Sequence, residues 1–196
     1  MESSRRMTKS LLIIINGAPC TGKTTLGRKL AKQLRLPFLS KDGIKEVLFD
    51  TLGWEDREFR VELIHASWAL THCFLKTQVE AGRSLIVDTA FIPKFDTPKL
   101  LKLKERHDFE PFQILCKTDA DVLFKRFKAR SASGERHPGH TDHLVTSDQF
   151  DEFLINEKYK ALDIGGSIFE IDTTDFKSID YEGLLAAINL KISLND

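Results

Sequence analysis

The sequence predicts one domain of the α/β class, with a parallel sheet covered by helices on both faces. Five short apolar runs alternate with segments of helical periodicity along the chain, which is typical of repeated strand-helix units. A glycine-rich loop joins the first apolar run to the first amphipathic segment. The length of 196 residues suits a single core, since a chain of this size buries about 70% of its unfolded surface.

Apolar periodicity, glycine and proline set the expected boundaries of the elements. The predicted strands cover residues 11–15, 37–40, 84–89, 112–116 and 167–171. The predicted helices cover residues 23–34, 44–52, 55–81, 93–107, 119–132, 148–162 and 181–190. We expect a flexible tail over residues 1–9 and a single domain over residues 10–196. Apolar residues are scarce from 131 to 147, and we interpret this stretch as a lid.

Charge and cysteine content limit the classes of partner. Twenty-nine lysines and arginines balance 29 aspartates and glutamates, so no net field draws the chain to nucleic acid or to an anionic membrane. No run reaches the roughly 18 to 20 apolar residues that span a bilayer. Three widely spaced cysteines favour reduced thiols and a cytoplasmic location over a disulfide framework. We therefore expect a small-molecule partner and a monomer or homodimer.

The most specific motif is the loop between the first strand and the first helix. Residues 17–24 match G-x-x-x-x-G-K-[ST], the phosphate-binding P-loop, in the expected strand-loop-helix setting. Unpaired amides and the positive end of the helix dipole hold a polyphosphate there. We expect Lys23 to reach the β- and γ-phosphates and the Thr24 hydroxyl to bind Mg²⁺. The candidate nucleotide-binding residues of this loop are Gly17, Ala18, Pro19, Cys20, Thr21, Gly22, Lys23, Thr24 and Thr25.

Asp88 ends the third predicted strand, at the edge of the sheet where ligands of open α/β folds bind. We therefore expect Asp88 to lie near the P-loop. There it would hold the Mg²⁺ shell through water or orient an acceptor. The alternative is a purely structural cap of the strand end.

In chain order, the P-loop, Asp42, Asp88 and an arginine-bearing lid resemble the small P-loop kinases over residues 10–175. This group includes the 5′-kinase domains of polynucleotide kinases, chloramphenicol phosphotransferase and zeta toxins. The resemblance implies a three-layer P-loop NTPase fold with five parallel strands in the spatial order 2-3-1-4-5. It also implies ATP and Mg²⁺ as cofactors.

In that group an acidic residue after the second strand accepts the proton of the substrate hydroxyl, and the matching residue is Asp42. The family setting Asp-x-x-Arg is Asp42-Gly43-Ile44-Lys45 in this chain. Lysine lacks the planar fork that suits a phosphate, which disfavours a 3′-phosphorylated nucleic-acid end as acceptor. The alternative role for Asp42 is the N-cap of the following helix, a position that aspartate favours.

Arg126 and Arg130 lie one helical turn apart, so both can face a nucleotide. Their spacing is similar to that of the paired arginines of nucleoside monophosphate kinases. By that resemblance Arg126 would stack on adenine, while Arg130 and Arg136 would meet phosphates. The alternative is a solvated basic helix face.

Two other features of the sequence could form a site. His137, His140 and His143 with Asp142 suggest a metal cluster, but the intervening Pro-Gly breaks the helix that would align them, so we prefer lid contacts with phosphate or acceptor. Trp54 follows a glycine in a loop and is a candidate lining of an acceptor pocket.

These features predict an ATP-dependent phosphotransferase acting on a hydroxyl of a small molecule. Lys23, Asp42 and Arg130 are the candidate catalytic residues, and Thr24 and Asp88 are the candidate metal ligands. The first alternative is a switch or motor that hydrolyses NTP and transfers nothing, although the chain has no Asn-Lys-x-Asp guanine motif. The second alternative is a P-loop protein without catalysis.

Overall fold

We describe a computed structural model of the chain over residues 9–141 and 159–195. Its sheet has five parallel strands: β1 (Ser10–Gly17), β2 (Phe38–Ser40), β3 (Leu85–Asp88), β4 (Phe109–Lys117) and β5 (Ser167–Asp172). The helices are α1 (Lys23–Leu34), α2 (Lys41–Leu52), α3 (Arg57–Glu80), α4 (Pro93–Arg106), α5 (Ala120–Ala132) and α6 (Tyr181–Asn195), with a 3₁₀ turn at Pro138–His140.

The spatial order of the strands is β2-β3-β1-β4-β5, which confirms the predicted order. β1 is central, and all eight of its residues are buried. Because successive side chains of a strand point to opposite faces, β1 supplies both halves of the core. Leu11, Ile13 and Ile15 pack with α1 and α6, whereas Leu12 and Ile14 pack with α3 and α4. The predicted three-layer P-loop NTPase fold is therefore present.

The starts of α2 and β4 differ from the predicted ones. α2 begins at Lys41, earlier than the predicted residue 44, because Ser40 is its N-cap and accepts a hydrogen bond from the Gly43 amide. The alternative role of Asp42 as the N-cap was therefore wrong. β4 begins at Phe109, three residues before the predicted start at residue 112, and it includes Pro111. Pro111 fits because pairing of β4 with β5 starts only at the next residue.

The helix predicted over residues 148–162 lies mostly outside the described residues. Residues 159–162 are described and are not helical, so the prediction of a helix was wrong at these four residues. The tail at residues 1–8 and residues 142–147 of the predicted lid also lie outside the described part of the chain. No helix within residues 9–141 and 159–195 has the length and apolar character needed to cross a membrane.

The topology brings the motif residues to one edge of the sheet. The P-loop follows β1, Asp42 lies in the first turn of the helix after β2, and Asp88 is the last residue of β3. Ser40 and Asp88 are paired in the register of β2 and β3, and Ile15 is paired with Asp88 across β1 and β3. The carboxyl ends of three adjacent strands thus converge on the same place.

Candidate active site

A cavity of 630 Å³ opens at the carboxyl edge of the sheet, between the P-loop, the start of α2, the end of β3 and α5. It brings together residues that were predicted from separate parts of the sequence: Asp42, Asp88, Arg126, Arg130, Arg136 and most of the P-loop. Three predicted P-loop residues, Gly17, Ala18 and Thr21, do not line it. The residues around this cavity are Pro19, Cys20, Gly22, Lys23, Thr24, Thr25, Arg28, Ser40, Lys41, Asp42, Gly43, Glu46, Asp88, Thr89, Ala90, Arg126, Phe127, Arg130, Arg136, His140 and Phe176.

Two glycines shape the P-loop. Gly17 has φ +145°, and a Cβ added to it would lie 2.5 Å from the carbonyl oxygen of Cys116 on the neighbouring strand. Gly22, the residue before α1, has φ +85°, and its added Cβ would lie 2.7 Å from the Phe176 ring. Both positions therefore need a residue without a side chain. The loop leads into the first residues of α1, which line the cavity, and amides at the start of a helix are the groups that bind phosphate.

Lys23 is held by its own loop. Its Nζ donates hydrogen bonds to the carbonyl oxygens of Gly17 at 2.9 Å and Ala18 at 2.7 Å. Burial lowers the pKa of Lys23, and the charge of Asp88 opposes that shift. An anionic ligand bound beside Lys23 would therefore favour the charged form of its amine.

The Thr24 hydroxyl donates a hydrogen bond of 2.5 Å to Asp88 Oδ2. Burial raises the pKa of Asp88, while the charge of Lys23 and the Thr24 hydrogen bond act in the opposite direction. A hydroxyl and a carboxylate side by side supply the hard oxygen ligands that Mg²⁺ prefers, and Mg²⁺ needs only one or two protein ligands when it also binds phosphates. The residues present at this place therefore fit the cation that the family implies.

Asp42 is surrounded by cations. Its Oδ1 lies 3.3 Å from Lys45 Nζ and 3.5 Å from Lys41 Nζ, and its Oδ2 accepts a hydrogen bond of 3.0 Å from Arg136. Burial raises the pKa of Asp42, but Lys45, Lys41 and Arg136 outweigh it and hold the pKa below its ordinary value. The carboxylate is thus ionised, as a proton acceptor must be, and 38% of its side chain is exposed.

The segment after α5 is docked on α2. Three side chains of the segment contact three carboxylates spaced four residues apart on one face of α2. These contacts are Arg136 with Asp42 at 3.0 Å, His140 with Glu46 at 2.7 Å, and His137 with Asp50 at 3.0 Å. The described part of the predicted lid therefore forms one wall of the cavity beside Asp42.

His140 connects two of these contacts. Arginine has only donors, so Arg136, 2.9 Å from Nδ1 of His140, donates to that nitrogen. The ring proton therefore resides on Nε2, which donates to Glu46. Burial lowers the pKa of His140 to about 3, and the charges of Lys45 and Arg136 act in the same direction. A neutral ring satisfies both neighbours.

Arg126 is fixed at the other end of the cavity. Its guanidinium donates to the carbonyl oxygens of Thr173 at 2.8 Å and Thr174 at 2.9 Å, in the loop after β5. The Arg126 Cζ also lies 3.8 Å from the centre of the Phe176 ring. These contacts present a flat, charged surface beside the first turn of α1, which is a shape that suits a stacked base.

The comparisons with known proteins decide the family. A family profile described as an AAA domain (AAA_33) matches residues 12–154. A candidate kinase from Chloroflexus aurantiacus J-10-fl is 36% identical, with 94% of this chain and 98% of that chain aligned and a TM-score of 0.80. The chain belongs to this AAA-domain family of small P-loop kinases.

More distant solved structures share the fold of this P-loop kinase. A gluconokinase from Sinorhizobium meliloti 1021 has a TM-score of 0.54 at 16% identity, with 97% of each chain aligned. A shikimate kinase from Bacteroides thetaiotaomicron has a TM-score of 0.51 at 21% identity, with 94% of this chain and 97% of that chain aligned. No curated protein matches the sequence.

Two features behave differently from the sequence-based expectation for this P-loop kinase. Trp54 does not line the cavity, and its ring instead makes an edge contact with His137. Arg136 lines the cavity and contacts Asp42 at 3.0 Å, a partner that the resemblance did not imply. His143 and Asp142 of the considered metal cluster lie outside the described residues, and the ring nitrogens of His137 and His140 face carboxylates of α2.

Several cavity residues of this P-loop kinase were not candidate site residues in the sequence, among them Lys41, Thr89, Phe176 and Arg28. Lys41 adjoins Asp42, and Thr89 adjoins Asp88, so position next to a motif residue was the available signal for both. Phe176 and Arg28 gave no signal, because neither belongs to a motif. Thr89 is only 4% exposed, and its Oγ1 has no hydrogen-bond partner among the described residues.

Proposed function

We propose that this P-loop kinase transfers the γ-phosphoryl group of ATP to a hydroxyl of a small molecule. One observation carries the proposal: an ionised carboxylate, Asp42, lines the same cavity as Lys23, Thr24 and Asp88 of the nucleotide site. A cavity with a phosphate site at one side and a carboxylate at the other has the two parts that phosphoryl transfer to an alcohol needs.

In the proposed reaction the acceptor oxygen forms a bond to the γ-phosphorus while the bond from that phosphorus to the bridging oxygen breaks and ADP leaves. Asp42 takes the hydroxyl proton on a carboxylate oxygen. Lys23 and the amides at the start of α1 bind the phosphates, and Arg130 stabilises charge on the transferred group. Mg²⁺, held by Thr24 and Asp88, neutralises the phosphate oxygens when bound.

The end of the cavity at Arg126 supports ATP as the donor. There the guanidinium lies on Phe176 next to Gly22, and an adenine in this place would stack beside the P-loop. The names of the fold relatives, gluconokinase and shikimate kinase, agree with transfer to a hydroxyl compound. The three cysteines of the chain form no disulfide with one another, which supports a cytoplasmic location.

A switch that hydrolyses NTP remains the competing function. It would need a carboxylate or amide to position water and would have no use for a second substrate site. The basic residues Lys41 and Arg136 beside Asp42 favour a bound acceptor, because they form a polar part of the cavity that does not belong to the P-loop. The two functions differ in whether ATP consumption depends on an alcohol.

The experiment compares wild type with Asp42→Asn in a phosphoryl-transfer screen over hydroxyl compounds with ATP and Mg²⁺. Positioned general bases contribute about 10²- to 10⁴-fold, so transfer should fall by that order while ATP affinity is nearly unchanged. Asp108→Asn, at an exposed position paired with Lys9, is the matched control. Transfer at the wild-type rate in Asp42→Asn, or ADP release that no alcohol stimulates, would contradict the proposal.

A further inference from the structure

We propose that the acceptor carries an anionic oxygen group, a carboxylate or a phosphate monoester, and that Lys41 and Arg28 bind this group beside Asp42. The inference rests on the proposed function, since it names the chemical class of the acceptor at the same site. It follows from the balance of charge at the acceptor end of the cavity.

Two buried lysines share one carboxylate there. The side chains of Lys41 and Lys45 are 12% and 11% exposed, and Asp42 is the single carboxylate within 4.0 Å of either ammonium group among the described residues. Arg136 adds a third contact to the same Asp42. A carboxylate carries one charge, so among the described residues the two lysines at Asp42 exceed the negative charge that faces them.

The second carboxylate at this end of the cavity does not correct the excess. Glu46 Oε1 accepts a hydrogen bond of 2.7 Å from His140, whose side chain is 2% exposed. Its negative charge is therefore directed to a neutral ring. The neighbouring Lys45 shows the effect of this imbalance, because its pKa is lowered. Burial is the largest cause, the charges of Lys41 and Arg136 act in the same direction, and the charge of Asp42 opposes them.

Arg28 contributes an independent cation to the same cavity. It lies four residues after Thr24 on α1, so the two side chains share the face of the helix that looks toward Asp88. Arg28 lines the cavity and forms no ion pair with any of the described carboxylates. An arginine and a lysine that line one cavity can together bind a carboxylate or a phosphate, because both anions accept several charge-assisted hydrogen bonds.

An anionic acceptor would also raise the proton affinity of Asp42. In the structure the carboxylate of Asp42 serves as counterion to Lys41, Lys45 and Arg136. When a second anion is bound by Lys41, these cations are shared between two negative groups, and each stabilises the ionised form of Asp42 less. Acceptor binding would therefore raise the proton affinity of the base at the moment at which it must take a proton.

Thr89 supplies a specificity contact in the same recess. Its hydroxyl is buried and lines the cavity, and β3 places it directly after Asp88, opposite the start of α2. A buried hydroxyl without a partner is costly, and an acceptor hydroxyl or anionic oxygen would satisfy it. The site thus offers cations for an anionic group and one neutral partner, Thr89, for another oxygen of the acceptor.

The test uses the full chain and two sets of compounds that share a carbon skeleton. One set is glycerol, D-glycerate and sn-glycerol 3-phosphate, and the other is D-glucose, D-gluconate and D-glucose 6-phosphate. Binding is measured by calorimetry in the presence of Mg²⁺ and a non-hydrolysable ATP analogue, and transfer by ³¹P NMR of the product. The carboxylate and phosphate members separate the two possible sources of the anionic group.

The expected result is that an anionic member of a set binds at least tenfold more tightly than its neutral counterpart. Lys41→Gln and Arg28→Gln should each remove most of that preference, while Lys32→Gln, at an exposed position on α1, should leave it unchanged. Equal binding of neutral and anionic members, no binding of any anion, or a preference that survives both variants would overturn the inference. Anion-selective binding without product would support it and reject the proposed transfer reaction.

Discussion

Thr24 and Asp88 are 64 residues apart in sequence, and their side chains are joined by a hydrogen bond of 2.5 Å beside the P-loop. The contact places two hard oxygen ligands together, so we expect Mg²⁺ to bind there. We predict that Asp88→Asn raises the Mg²⁺ concentration needed for half-maximal nucleotide-induced stabilisation by about ten- to a hundredfold, as for other lost partners of a metal site.

The measurement is a series of thermal unfolding curves with fixed ATP and increasing Mg²⁺. Asp108→Asn is the control, because Asp108 is exposed and pairs only with Lys9 among the described residues. An unchanged Mg²⁺ dependence in Asp88→Asn would show that Asp88 is a structural cap of the strand end.

Lys23 is the subject of a second prediction, about nucleotide binding alone. A ligand that binds only the folded state stabilises it by about 2.7 kcal/mol at a hundredfold excess over Kd. Mg·ATP should therefore raise the Tm of wild type, and Lys23→Ala should lose most of this shift because the amine that reaches the phosphates is gone. Lys32→Ala, which removes an exposed lysine from the same helix, should keep the shift. Equal shifts in wild type and Lys23→Ala would reject the phosphate site.

Arg130 is expected to act on the reaction more than on binding. It lines the cavity one turn after Arg126, and negative charge on the γ-phosphoryl oxygens is redistributed in the transition state. Arg130→Ala should therefore lower kcat by a larger factor than it raises the KM for ATP. Lys125→Ala removes an exposed cation from the same helix and serves as the control. An effect confined to KM would mean that Arg130 only binds the nucleotide.

The fold was predictable because its signals are local. A strand buried on both faces must be continuously apolar, and β1 is such a run between a polar tail and a glycine loop. The start of α2 was placed three residues late because Gly43 looks like a helix breaker, whereas Ser40 caps the helix before it. Glycine is tolerated there because the cap hydrogen bond compensates for its low helix propensity.

The site was predictable only in part, for a physical reason. Asp88 ends β3, and Lys23 and Thr24 begin the helix that follows β1, so the order of the strands alone brings them together. Arg136 meets Asp42 across 94 residues, and that contact depends on how the segment after α5 folds back on α2. Such docking follows from tertiary packing, and a single sequence carries no periodic signal for it.

The contact of His140 with α2 gives the last prediction, which concerns pH. The pKa of His140 is lowered from the ordinary 6.5 to about 3 by burial and by Lys45 and Arg136. Between these values the unfolded chain binds a proton at His140 and the folded chain does not, so the free energy of unfolding falls as pH decreases through this window. One proton changes it by at most about 1.4 kcal/mol per pH unit. Asp42, whose pKa lies below 3.8, does not titrate between pH 7.5 and 5.

Urea unfolding at pH 7.5 and pH 5.0 separates the contribution of His140 from that of the other groups. A glutamine can accept from Arg136 and donate to Glu46 as the neutral ring does, but it does not titrate. His140→Gln should therefore lose less stability than wild type between the two pH values, while His65→Gln, at an exposed position on α3, should follow wild type. If wild type and His140→Gln lose the same stability, the ring of His140 is not held neutral against α2, and the docking of this wall of the cavity is independent of pH.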